Sequence, residues 1–247
     1  MAMRVAVLGG CGGIGRSLVA ALLAQGDAVA VLDLPVSIDR HPPPQGVVAL
    51  AVDGSNAASV AAAFEALGAR WDGLDGFVNL AGFMIGMKPL RDVDPDAFAT
   101  VVAGNLGTAF LACNAALPLL HKGVSPSLVN VASGLAQFVR PNYGPYAAAK
   151  AGMIALTKTL ALEHAPMVRC NVVSPGAVDT AFLRGGTGRS DESNASTLDV
   201  AAYSAMIPLK RIAVPEDVVG PVLFLLGPAS AYMTGQSLWV NGGAFMP

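Results

Sequence analysis

Charge is what this chain of 247 residues has least of: only 13% of its residues are Asp, Glu, Lys or Arg. The two signs nearly cancel, to a net charge of -2, and no run of Lys or Arg occurs. The basic footprint that a nucleic-acid partner needs is therefore missing, and no such partner is expected. Low charge combined with 53% hydrophobic residues also excludes a disordered chain. Cysteine is scarce as well. Cys11, Cys113 and Cys170 are odd in number and far apart, and the three histidines are equally scattered. Neither a disulfide framework nor a metal site is expected. Aromatic residues make up only 6%.

The surplus lies on the apolar side, with a mean hydropathy of +0.55, so a membrane span has to be weighed. Residues 97–120 carry no charge, and a spanning helix needs about 20 apolar residues. However, Gly104, Asn105, Gly107, Asn114 and Pro118 interrupt that run, and no Lys/Arg-rich flank marks one side of it. A buried helix is the better reading. The apolar part of the N-terminus is too short, and too soon glycine-rich, for a secretory signal. No membrane contact is expected, and the location is expected to be cytoplasmic.

Short β-branched runs alternate with Ala/Leu-rich stretches along the chain. Strands are predicted at 4–8, 28–32, 47–52, 76–80, 127–131, 169–173 and 237–240. Helices are predicted at 14–24, 57–67, 96–119, 146–164 and 215–226. Strands that alternate with helices of this length form parallel β-α-β units. The strands are apolar throughout, as when helices cover both faces of a sheet. The expected fold is α/β: a three-layer α/β/α sandwich with a doubly wound parallel sheet of Rossmann type, spanning 1–247 as one domain. Pro42-Pro43-Pro44 makes a stiff surface connection. Residues 185–197 bury almost nothing, and a loop of that kind in a compact domain suggests a substrate lid, placed here at about 181–207.

Three patterns carry chemistry. The first strand runs into Gly9-Gly10-Cys11-Gly12-Gly13-Ile14-Gly15 just before a helix. Glycines there let the backbone turn tightly and present the helix N-terminus to a pyrophosphate. Asp33 ends the second strand, ~20 residues further on, where a carboxylate accepts the adenosine ribose hydroxyls and repels a 2′-phosphate. NAD is therefore expected in preference to NADP. In Tyr146-Ala-Ala-Ala-Lys150 both functional side chains fall on one helix face, one turn apart. A phenol ionises near 10, and a neighbouring ammonium would lower that value and fit the tyrosine for proton transfer.

Taken with Asn79-Leu80-Ala81-Gly82, Asn105, Ser133 and Pro175-Gly176, these patterns resemble the compact, single-domain branch of the short-chain dehydrogenase/reductase family. The resemblance runs over essentially the whole chain and includes 232–243. It implies that Tyr146 exchanges a proton with the substrate oxygen, while Lys150 lowers its pKa and holds the nicotinamide ribose. Ser133 would stabilise the substrate oxygen, and Asn105 would hold a water linking Lys150 to solvent. It further implies that Gly9, Gly12, Gly13, Ile14, Gly15 and Asp33 bind the cofactor together with Asp53, Asn79, Ala81 and Gly82. Pro175, Gly176, Val178 and Thr180 would place the carboxamide end of the nicotinamide. Two departures stand out. Leu8 replaces the usual Thr before the first glycine, and Leu80 replaces the usual second Asn, which weakens the expected support of the central strands.

Candidate substrate residues are Met84, Phe138, Tyr143, Phe182 and Met206, with Ile85, Val139 and Leu183 beside them. Most are apolar, which favours a hydrophobic or alicyclic secondary alcohol or ketone. Arg140 is open to two readings, a partner for an acidic group on the substrate or, as is commoner for a lone arginine beside a proline, a solvated residue. The alternatives to an NAD-dependent alcohol dehydrogenase are an NADPH-dependent 3-oxoacyl-type reductase and an idle nucleotide-binding regulator on the same fold. A methyltransferase would share the glycine turn and the acidic strand end but has no use for Tyr146 and Lys150. The resemblance also implies that the uncharged 97–120 stretch and 218–226 pair subunits, in a homotetramer or otherwise a homodimer.

Overall fold

The alternation of apolar residues along each strand decides what the sheet packs against. In the computed structural model, which describes residues 2–184, 186, 192, 196 and 198–246, strand β1 (Arg4–Leu8) turns Val5 and Val7 to one face and Ala6 and Leu8 to the other, as the two-residue period of a strand requires. Helix α1 (Gly13–Ala24) leads to β2 (Ala28–Asp33), the short α2 (Pro35–Arg40), β3 (Val48–Ala51), α3 (Ala57–Gly68) and β4 (Gly76–Asn79). Then come α4 (Pro95–Val102), α5 (Thr108–Leu120), β5 (Ser127–Val131), α6 (Gly144–His164) and β6 (Arg169–Pro175). The chain closes with α7 (Val200–Met206), α8 (Pro215–Leu226) and β7 (Ser237–Val240).

Among the described residues, seven strands form one sheet in the order β3-β2-β1-β4-β5-β6-β7, every neighbouring pair parallel. On one face, Leu18, Leu22, Val218 and Val222 of α1 and α8 pack on Val5, Val29, Val78, Val129 and Val173. On the other, Phe64 and Leu67 of α3 and Ala112, Ala116 and Leu120 of α5 cover Ala6, Leu32, Phe77 and Leu128. This is the expected doubly wound sandwich. The chain reverses direction across the sheet between β1 and β4, and the crevice beyond the carboxyl ends of those strands is where such sheets bind ligands.

The helix predicted over 96–119 differs in the middle. It is two helices joined by a π-turn at Ala103–Gly107. The Asn105 side-chain amide donates to the Val101 carbonyl at 2.8 Å. In an unbroken helix that carbonyl receives the backbone N–H of residue 105. The ladder slips by one residue, and the Thr108 N–H reaches back five residues to Ala103. Pro95–Leu120 is long and apolar enough to cross a membrane by length and composition alone, but half of its most apolar 18-residue stretch is buried inside the fold. The expected lid is only partly described: Ala181–Arg184 form a single 3-10 turn and Val200–Met206 form α7, while 185, 187–191, 193–195 and 197 lie outside the described residues.

Candidate active site

A cavity of about 580 Å³ occupies the crevice at the strand ends. Its floor is the turn from β1 into α1. Gly9 has a φ of +84°, which favours glycine. A Cβ on Gly15 would lie 2.3 Å from the Gly9 carbonyl oxygen, and one on Gly13 would lie 2.6 Å from the Thr180 methyl. Only glycine lets the turn lie this close to the helix. Gly12 caps α1 without a side chain, and the first turn holds no acidic residue. The free N–H groups there are left to an anion. Gly9, Gly12, Gly13, Ile14 and Gly15 all line the cavity, so the cradle fits a dinucleotide pyrophosphate.

Asp33 and Asp53 line the same end. The Asp33 carboxylate accepts the backbone N–H groups of Cys11 and Leu34, each at 2.8 Å, and so braces the glycine turn as well as facing the cavity. Burial raises its pKa, opposed by these bonds and by the Ser37 side chain. Asp53 accepts from the Ser55 N–H at 3.0 Å and the Ser55 hydroxyl at 2.7 Å. Ala81, Gly82, Pro175, Gly176, Val178 and Thr180 also line the cavity.

Asn79 does not. It is fully buried, its amide donates to Asn130 Oδ1 at 2.9 Å, and its own Oδ1 accepts the Ala81 N–H at 3.1 Å. Asn130 passes the chain on to the Thr157 hydroxyl at 3.0 Å. Asn79 therefore ties β4 to β5 and α6. The support that Leu80 cannot provide comes from this buried amide network, while Leu80 itself lines the cavity.

Ser133, Tyr146 and Lys150 converge at the other end. Ser133 follows β5, where its hydroxyl accepts the Leu135 N–H at 3.2 Å. Tyr146 lies in the first turn of α6, its ring 5.8 Å from that of Phe182. The Lys150 ammonium lies 5.7 Å from the centre of the Tyr146 ring and donates to the Val131 carbonyl at 2.9 Å. Burial pushes the Tyr146 phenol above its usual range, and the opposing influence is a hydrogen bond with the Ser133 side chain. Burial also pulls the Lys150 amine down to about 7. Desolvation thus moves both groups toward their neutral forms, while the helical spacing keeps the Lys150 ammonium beside the Tyr146 ring.

Asn105 is fully buried behind the cavity wall. A Cβ on Gly82 would lie 2.6 Å from Asn105 Oδ1 and 3.1 Å from Lys150 Nζ, so this glycine is what lets the two groups share one gap.

Of the substrate candidates, Met84, Phe138, Tyr143, Phe182 and Leu183 line the cavity. Met206 stands apart: it is 66% exposed on α7 and does not reach the lining. Ile85 and Val139 are likewise exposed and outside it. Sequence reasoning missed Tyr203, Asn241 and Phe245, which also line it. Phe245 stacks on Phe138 at 5.3 Å and meets Trp239 edge-on at 5.2 Å. The glycine-rich ending at 241–243 was the available signal for the C-terminal wall. Tyr203 had none.

Comparison with known proteins agrees with this geometry. A family model described as enoyl-(acyl carrier protein) reductase matches residues 9–244. An uncharacterized short-chain type dehydrogenase/reductase of Sinorhizobium fredii is 35% identical over 97% of this chain, which spans only 43% of that longer protein. The 2-(S)-hydroxypropyl-CoM dehydrogenase 3 of Xanthobacter autotrophicus is 32% identical, covering 97% of this chain and 95% of its own. Among solved structures, a 3-ketoacyl-(acyl-carrier-protein) reductase from Brucella melitensis complexed with NADH superposes with a TM-score of 0.88. It is 27% identical, and the match covers 99% of this chain and 98% of that one.

Proposed function

Since the chain belongs to the short-chain dehydrogenase/reductase family, we propose that it interconverts a secondary alcohol and its ketone with NAD as electron carrier. The observation that carries this reading is the convergence of Ser133, Tyr146 and Lys150 on one cavity whose far end is a glycine cradle. When bound, the nicotinamide supplies or accepts the hydride. The Tyr146 phenol gives a proton to the substrate oxygen in ketone reduction, its phenolate takes that proton back in alcohol oxidation, and the Ser133 hydroxyl holds the oxygen as charge develops on it. Lys150, with its pKa drawn to about 7, gains and loses protons near neutral pH. Asn105, across Gly82 from it, holds the water that passes them to solvent.

The half-buried carboxylate of Asp33 supports NAD over NADP, because a 2′-phosphate would meet a like charge. A second reading, reduction of a 3-oxoacyl group, is favoured by the likeness to the Brucella 3-ketoacyl-(acyl-carrier-protein) reductase. Asp33 weighs against the NADPH form of it. We place the lid over the cavity at Phe182, Leu183 and Tyr203, all in its lining.

Outside the cavity, Phe98 and Phe110 expose 39% and 52% of their surface along a groove that includes Leu106 and Leu156. This exposed apolar groove supports burial against a second copy, in a homotetramer or otherwise a homodimer; a stable monomer by light scattering contradicts it. All three cysteines are free and buried, which supports a reducing compartment, the cytoplasm. The central test follows reduced-nicotinamide absorbance with NAD or NADP and a panel of secondary alcohols. Turnover with NAD, lowered ~10²- to 10⁴-fold by Tyr146→Phe while NADH still binds, is the expected result. No turnover with any member, or an unaffected Tyr146→Phe, overturns the assignment.

A further inference from the structure

We propose that Arg140 determines substrate specificity, and that the alcohol or ketone carries an oxyanion, a carboxylate or sulfonate, which this guanidinium holds. The inference rests on the dehydrogenase reading and narrows its substrate class.

Among the described residues, five charged side chains line the cavity, and their partners differ. Asp33 ends β2 and Asp53 follows β3 by two residues, in the adenosine half. Lys150 donates to the Val131 carbonyl. Arg184 pairs with Asp179 at 3.6 Å and donates to the Thr180 carbonyl at 3.2 Å. Arg140 is the exception. It is half-buried, yet among the described residues it has neither an ion pair nor a hydrogen-bond acceptor. What touches it is aromatic: its guanidinium carbon lies 5.6 Å from the centre of the Phe138 ring and 5.0 Å from that of Tyr203.

Those rings steady the cation through their π faces but accept none of its N–H bonds. A guanidinium has five such donors in a planar fork shaped for an oxyanion. Its own loop and α7 clamp it from two sides, through Phe138 and Tyr203. Immediately after it, Pro141 fixes the backbone and Asn142 turns left-handed at a φ of 75°.

Arg140 also occupies the connection between Ser133 and Tyr146, the two residues that grip the reacting oxygen. A substrate held there by its oxygen extends along the wall that this connection forms. Beside the Tyr143 phenol, that wall is apolar among the described residues, with Met84, Leu135, Phe138 and Phe182 in the lining. The geometry points to a substrate with an apolar body, a hydroxyl or oxo group at one end and an anion at the other.

The test compares three matched alcohols: 4-hydroxycyclohexanecarboxylate, its methyl ester, and the corresponding sulfonate. The wild type should prefer the anions to the ester by at least about tenfold in kcat/KM, a charge-assisted hydrogen bond's worth. The preference should appear mainly in KM, because the anion lies away from the reacting carbon. Arg140→Gln should reduce the anion-to-ester ratio to near one, and Arg140→Lys should retain part of it. A variant that is merely misfolded lowers all three rates and leaves the ratio in place. Carboxylate and sulfonate rates, ranked against each other, identify the oxyanion.

Calorimetry supplies a readout independent of turnover. Cyclohexanecarboxylate should bind the wild-type NADH complex at least about tenfold more tightly than the Arg140→Gln complex. An anion site without turnover of any alcohol sinks the dehydrogenase reading and leaves the site standing. No anion preference in either measurement, or one that survives Arg140→Gln, overturns the proposal.

Discussion

Replacing Lys150 by methionine should make the protein more stable while destroying its chemistry. The amine is buried, only 3% exposed, and burial lowers its pKa from 10.5 to about 7. In acid, the folded protein bears the full cost of that burial, roughly 5 kcal/mol at ~1.4 kcal/mol per pKa unit. As pH rises from about 7 toward 10.5, the folded lysine is neutral while the unfolded one still holds its proton. The cost therefore shrinks across that window and is gone above it. Methionine keeps most of the apolar stem but is one atom shorter and loses the buried bond to the Val131 carbonyl, worth about 1–2 kcal/mol. The net gain near neutral pH is roughly 3 kcal/mol, or ~5–10 °C in Tm for a chain of this size. Near pH 10 the gain should vanish. Urea denaturation followed by Trp71 and Trp239 fluorescence, at fixed protein concentration and several pH values, measures it directly. A variant less stable than wild type in acid, or a difference that stays constant with pH, refutes the reasoning.

Two further substitutions separate cradle from scaffold. Gly15→Ala forces a methyl against the Gly9 carbonyl at 2.3 Å; it should weaken NADH binding at least about tenfold and cost about 1–3 kcal/mol of stability, read by fluorescence titration and thermal melting. Asn79→Ala, outside the cavity, leaves Asn130 short of a donor and the Ala81 N–H without an acceptor. About 2–4 kcal/mol should be lost in denaturant, with cofactor affinity falling less than stability does; the reverse order would return Asn79 to the binding site.

The strands were legible because each announces itself as an apolar run, the central ones buried on both faces. Helices α3 and α8 were legible for a related reason, with apolar residues at helical spacing. The π-turn was not, because its cause is a tertiary competition: whether the Asn105 amide takes the Val101 carbonyl depends on where Phe83 sits, and its carbonyl also accepts that amide at 2.9 Å. Helix α2 was missed because six residues opening on Pro35 show no period. At the site, Tyr146 and Lys150 could be paired from their spacing within one helix. The opposed shifts in their acidity could not, since desolvation depends on the neighbours that the fold assembles. Arg140 marks the same limit. Nothing local distinguishes a solvated arginine from one held between two rings, one of which lies 63 residues along the chain.

The strand order also bears on how the protein reaches its native state. No two neighbouring strands are joined by a hairpin, and the central pairing of β1 with β4 fastens Arg4 to Asp75 across 71 residues. Every rung of the sheet must close a long loop before it gains anything, which places the chain among slow-folding topologies. The crevice opens between those same two strands, so both halves of the sheet must dock before a nucleotide has anywhere to bind. In a refolding experiment, recovery of NADH binding should trail the return of helical signal, reporting the last long-range closure rather than the first.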